Sequence, residues 1–187
     1  MEVKRTSIEG CFEIEPKIIK DKRGYFYESF NKNLFQKKTD VNTEFVQDNQ
    51  SFSQKGVLRG LHMQTGKYAQ AKLVSVLKGK VLDVAVDLRP NSPTFSKIFS
   101  SILSEENKKQ LFVPRGCAHG FVVLSETALF YYKCDNFYNK ESETGIIYND
   151  PQLSIDWQLQ DDELIISEKD KMLPSFNEFL EQLKATM

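Results

Sequence analysis

The sequence predicts an all-β chain, closed into a barrel or sandwich of the jelly-roll type, with short peripheral helices and one amphipathic helix at the C-terminus. Three observations predict it. Short segments of alternating or continuous apolar residues recur, with turn residues at intervals of ~8–12 residues, as in antiparallel all-β folds. Aromatic and β-branched residues, which suit a pleated half-buried surface, concentrate in those segments. A helical period of 3.6 appears only near the end, where Phe176, Phe179, Leu180 and Leu183 share one face.

In order along the chain, residues 11–15 alternate and stop at Pro16. Asp21-Lys22-Arg23-Gly24 is a turn, and the aromatic run 25–30 after it reads as a strand. Residues 33–38 suit a short helical turn, and 45–53 an extended segment that is polar on one face. The stretch 57–64 carries an arginine, a histidine and a glutamine among apolar residues; 70–74 continues it beyond the Thr65-Gly66 turn. A regular strand would place Arg59 on the opposite face from His62, but Gly60 marks a possible bulge that resets the count. After the turn at Lys78-Gly79, residues 81–88 are almost wholly apolar, which predicts burial on both faces. A loop spans 89–94. Strands follow at 98–103, 110–113, 121–124 and 128–134, with turns at 104–107 and 125–127. Pro174-Ser175 starts the C-terminal helix. No repeat, low-complexity tract or linker interrupts the chain, so residues 1–187 are expected to form a single domain.

Composition excludes several classes. The net charge is −1, which provides no electrostatic footprint for nucleic acid. No apolar run approaches the ~18 residues that a membrane span needs. The N-terminus is polar and has no secretory core, and the three cysteines lack C-x-x-C spacing. Reduced thiols in a cytoplasmic protein are the expectation. Cys117 lies close to His119, but no acyl-transfer signature surrounds it.

The chemistry is concentrated around the only two histidines. Pro114-Arg115-Gly116-Cys117-Ala118-His119 fits P-x-G-x-x-H, the second cupin motif. His62-Met63-Gln64 stands where the first motif has H-x-H, and Lys72 stands at its glutamate position, with six residues between it and Gly79. The chain therefore resembles a cupin with two of four metal ligands replaced. An amide and an ammonium are poor ligands for a divalent ion, which predicts a retained cavity, no metal and no cofactor.

Further blocks make the resemblance specific. They run through Asp21-Lys22-Arg23-Gly24-Tyr25-Phe26-Tyr27-Glu28, Phe45-Val46-Gln47-Asp48-Asn49-Gln50-Ser51, Gly56-Val57-Leu58-Arg59-Gly60-Leu61-His62 and Gln70-Ala71-Lys72-Leu73-Val74. They continue with residues 83–89, the Pro-Gly-His block, Tyr132-Lys133-Cys134, Tyr148-Asn149-Asp150-Pro151 and Ser167-Glu168-Lys169-Asp170. The chain is similar to the dTDP-4-dehydrorhamnose 3,5-epimerase family, in order and without a large insertion, from about residue 10 to about 175.

That resemblance implies inversion of C3 and C5 of dTDP-4-dehydro-6-deoxy-D-glucose. Such a reaction needs a base, an electrophile for the enolate oxygen and an acid on the opposite face. His62 would be the base, with Asp170 accepting its Nδ1 proton and stabilising the imidazolium. Lys72 would face the enolate, and Tyr132 would return the proton. Without the family register, Asp170 reads as a turn residue in a charged tail, Lys72 as a solvated charge, and Tyr131 rivals Tyr132. For the nucleotide, the resemblance implies Arg23, Arg59 and Lys169 on the phosphates, with Gln47 and Asn49 as neutral donors. Lys169 stands where the family often has Arg. Phe26 and Tyr138 would stack on thymine, a contact worth ~1–3 kcal/mol per base, and Glu28, His119 and Glu143 would complete the lining. Arg23, Phe26 and Glu28 would come from an exchanged N-terminal strand of a second copy, implying a homodimer. The alternatives are a mono-epimerase or 3,4-ketoisomerase on a related keto sugar, a non-catalytic sugar-nucleotide binder, and a metal-dependent cupin, the last disfavoured by Gln64 and Lys72.

Overall fold

The computed structural model describes residues 1–185. Its strands are β1 (Glu2–Arg5), β2 (Phe12–Glu15), β3 (Ile19–Asp21), β4 (Gly24–Phe26), β5 (Gln47–Gln54), β6 (Val57–Gln64) and β7 (Lys72–Lys78). They continue as β8 (Lys80–Asp87), β9 (Ile98–Ser104), β10 (Gln110–Val113), β11 (Cys117–Val123), β12 (Thr127–Cys134), β13 (Glu143–Gly145) and β14 (Ile165–Ile166). Three α-helices accompany them among the described residues: α1 (Lys32–Thr39), α2 (Glu168–Lys171) and α3 (Phe176–Ala185).

Two sheets face each other. One has the order β1-β2-β10-β7-β12-β5 and the other β13-β6-β11-β8-β9, with β14 added parallel to β6. Side-chain alternation decides what lies between them. Val74 and Val76 of β7, Val81 and Ala85 of β8, Phe121 of β11 and Phe130 of β12 turn inward and form one core. The rings of Phe121 and Phe130 stack across the gap at 4.0 Å, tilted by 15°. The alternate residues of β8 (Leu82, Val84 and Val86) build a second core against Trp157, Phe176 and Phe179, so β8 is buried on both faces as its composition requires. A third cluster joins Phe12, Leu73 and Phe112 to Phe35 of α1. Asn31 caps α1 through Leu34 N–H.

Helix α3 starts as expected. Ser175 and Glu178 bond each other's backbone N–H groups, the reciprocal pattern of a capping box. The aromatic run 25–30 departs from expectation. Only residues through Phe26 are strand, paired with β3 in an exposed hairpin around the turn at 21–24. Tyr27 to Phe30 instead run irregularly past the outer face of the first sheet, towards α1.

Candidate active site

A cavity of about 600 Å³ opens between the two sheets. Arg59 and His62 reach it from β6 and His119 from β11; Ser51, Lys72 and Tyr132 reach it from β5, β7 and β12 of the facing sheet. A neighbouring hollow of about 260 Å³ shares His62, Lys72 and Tyr132, and adds Gln47, Asn49, Tyr138 and Glu143.

A bulge brings Arg59 and His62 to one side. His119 pairs with His62 but Phe121 pairs with Arg59, so three steps along β6 oppose two along β11. Gly60 makes this possible. Its φ is +125°, and a Cβ there would lie 2.6 Å from Gly120 Cα and 2.8 Å from the His119 carbonyl oxygen. Only glycine allows so close a backbone approach.

Above the bulge, β14 pairs with Val57 and Leu58 and leads α2 across β6. Ser167 caps α2 by accepting the Asp170 N–H. The Asp170 carboxylate then accepts from Gly60 N–H at 3.2 Å and contacts His62 Nε2 at 2.8 Å. Asp170 is buried, which overturns its reading as a turn residue in a charged tail. The contact also corrects the expected geometry: the carboxylate holds Nε2 rather than Nδ1, so Nδ1 is the atom left for a substrate. Burial raises the Asp170 pKa, but the His62 and Gly60 contacts outweigh it and hold the carboxyl below its ordinary value.

Lys72 is no solvated charge either. It makes no ion pair among the described residues, and burial pulls its pKa down against the partial opposition of Cys134, Asp83 and Glu143. Tyr132 lines both hollows, and burial pushes its phenol pKa up. Its neighbour points outward: Tyr131 lines the opposite face of the sheet, where its hydroxyl accepts from Lys133. Alternation along β12 thus settles which tyrosine reaches the cavity.

The polar rim is internally paired. Glu143 accepts from Tyr138 at 2.8 Å and from the Lys169 ammonium. Gln47 accepts Tyr138 N–H and donates to Asn49. Among the described residues the Arg59 guanidinium bonds only Ser53, leaving most of its donors for a ligand. Gln64, at the lost ligand position, accepts Asn139 N–H. No group of three or more His, Cys, Asp or Glu side chains among the described residues is placed to hold a metal ion.

Three expected residues lie elsewhere. Arg23, with its side chain 84% exposed, pairs with Asp21 on the β3–β4 hairpin. Phe26 is 68% exposed beside it, and Glu28 is exposed after it. None reaches the cavity of its own chain. The reading of the sequence also missed three contributors: Ser51, whose Oγ is buried without a partner, Asp83 behind His119, and Ser167. Two of these carried signals, a lone carboxylate in an apolar strand and a serine three residues ahead of an acidic residue.

A family model described as dTDP-4-dehydrorhamnose 3,5-epimerase matches residues 5–178. The dTDP-4-dehydrorhamnose 3,5-epimerase of Escherichia coli (strain K12) is 51% identical over 180 residues, covering 96% of this chain and 97% of that one. The crystal structure of the Elizabethkingia anophelis NUHP1 enzyme of that name superposes with a TM-score of 0.93 at 58% identity, covering 95% and 97% of the two chains. A Legionella pneumophila epimerase, solved in complex with dTDP-4-keto-L-rhamnose, gives 0.92 at 50% identity and covers 97% and 96%.

Proposed function

Since this chain belongs to the dTDP-4-dehydrorhamnose 3,5-epimerase family, we propose that it converts dTDP-4-dehydro-6-deoxy-D-glucose into dTDP-4-dehydro-L-rhamnose, a step of dTDP-L-rhamnose biosynthesis. The observation that carries the mechanism is that a histidine–aspartate pair and a buried tyrosine project into one cavity from opposed sheets. Inversion requires this, because a proton leaves one face of the sugar and another arrives on the opposite face.

His62 removes the proton beside the C4 ketone through Nδ1, while Asp170 on Nε2 stabilises the imidazolium that forms. Lys72 supplies positive charge to the developing enolate oxygen and His119 a hydrogen bond. Tyr132, kept protonated by its burial, delivers a proton from the other sheet. Repetition at the second carbon completes the double inversion.

Arg59 and Lys169 serve the diphosphate; Gln47 and Asn49 add donors, and Tyr138 a stacking surface. Lys169 must exchange Glu143 for phosphate when the nucleotide binds. Arg23, Phe26 and Glu28 of a second copy complete the nucleotide subsite in a homodimer that exchanges its N-terminal segments. Their exposure, on the β3–β4 hairpin and just after it and outside the chain's own cavity, supports this. Three buried, unpaired thiols suit a cytoplasmic setting.

Proton NMR of the keto sugar in D₂O tests the reading, since it reports exchange at C3 and C5 separately. Wild type should exchange and invert both; exchange at one carbon alone would make it a mono-epimerase. Tyr132→Phe should incorporate deuterium with retained configuration, because His62 can return a deuteron to the face it left. Inversion by Tyr132→Phe at close to the wild-type rate would remove Tyr132 from the mechanism.

A further inference from the structure

Asp83 occupies a place where an apolar residue belongs. The residues of β8 that face the core between the sheets are Val81, Asp83 and Ala85, and Asp83 is fully buried. Its only hydrogen-bonding partner among the described residues is His119, whose Nε2 lies 3.0 and 2.9 Å from the two carboxylate oxygens. One N–H shared by two oxygens leaves most of the acceptor capacity unmet, and burying a carboxylate is costly without compensating charge. A core position does not keep such a group for packing.

We propose that Asp83 is a positioning residue of the epimerisation, acting through His119 by fixing its ring in the cavity wall. The inference rests on the mechanism above and deepens it. Because the carboxylate holds Nε2, Nδ1 is the His119 atom left for the substrate oxygen. The ring is also braced against Phe130, with centroids 6.1 Å apart.

The test is kcat, KM and dTDP affinity for wild type, Asp83→Asn, His119→Ala and the double variant. A ring no longer fixed loses its aim at the developing enolate oxygen, so in Asp83→Asn kcat should fall at least about tenfold while KM and dTDP affinity hold. Because Asp83 acts through His119, the double variant should be no slower than His119→Ala alone. Additive losses, or a kcat that holds while only the melting temperature falls, would make Asp83 a folding residue and overturn the proposal. If Asp83→Asn does not fold, Asp83→Glu decides, since it keeps the charge but displaces the carboxylate: a fall in kcat at unchanged dTDP affinity supports the proposal, and a wild-type kcat overturns it. Wild type without epimerase activity would refute the proposed function itself, whereas active wild type with additive losses refutes this inference alone.

Discussion

Replacing Asp170 with Asn isolates what the carboxylate does for His62. In the folded chain it contacts Nε2 at 2.8 Å, accepts Gly60 N–H at 3.2 Å and stays ionised. A hydrogen bond to a charged partner is worth ~1.5–3 kcal/mol, and its full value appears only when His62 becomes an imidazolium. At ~1.4 kcal/mol per tenfold, its loss slows abstraction by roughly 10- to 150-fold. An asparagine adds a second penalty when its NH₂ donates to Nε2, because the ring proton then sits on Nδ1, the atom meant to act as base. Together these predict a fall in kcat of at least about 100-fold with little change in KM, the pattern of an interaction made in the transition state. Initial rates on the keto sugar, dTDP calorimetry and a thermal melt separate catalysis, binding and folding. If folded Asp170→Asn keeps kcat within about threefold of wild type, the carboxylate merely tethers α2 to Gly60 and the dyad is wrong.

Gly60→Ala should cost at least ~3 kcal/mol and abolish activity, since its Cβ would press on backbone atoms of Gly120 and His119; a urea midpoint equal to wild type would refute the bulge argument. Asp87 is buried, but donors from Arg89, Ser92 and Thr94 outweigh that burial and hold its carboxyl down to about 2. A depressed folded pKa stabilises above the unfolded value of ~3.9 and fades as pH falls towards 2, a contribution of about 2 kcal/mol. The melting-temperature gap between wild type and Asp87→Asn should accordingly be wide at pH 7 and narrow below about pH 4. Exhaustive chelation should leave turnover intact, because Gln64 and Lys72 occupy two ligand positions; loss with EDTA that a divalent ion restores would refute metal independence.

What the sequence made legible follows from how local each signal is. Continuous apolar and aromatic runs mark β8 and β12, and alternation tells that Tyr131 and Tyr132 face opposite ways but not which of them faces the cavity. His62, Lys72 and His119 stand out because two histidines in a β chain fall in recognisable registers. Arg59 was ambiguous, because a bulge depends on how closely β11 approaches, and periodicity carries no trace of that. The elements β14 and α2 are too short to have a period, so only family resemblance marked Asp170. The aromatic run after the turn at 21–24 reads as one strand on propensity, yet pairing stops at Phe26 because β3 has only three residues to offer. Asp83 was visible but went unread, since a carboxylate in an apolar strand gains meaning only beside His119.

The stacked pair Phe121 and Phe130 sits at the cavity floor, one ring from each sheet. The residues proposed to handle protons hang from those same two sheets, so on that mechanism this apolar contact acts as a gauge for the span across which a sugar ring must present its carbons. The mechanism proposed above thus makes stereochemical outcome depend on side-chain volume as well as on acid and base. A lineage moving between single and double inversion need not touch His62 or Tyr132; a methylene gained or lost beneath them resets the gauge. Sequences that keep every reactive group and differ at these two aromatics are where such divergence should be sought.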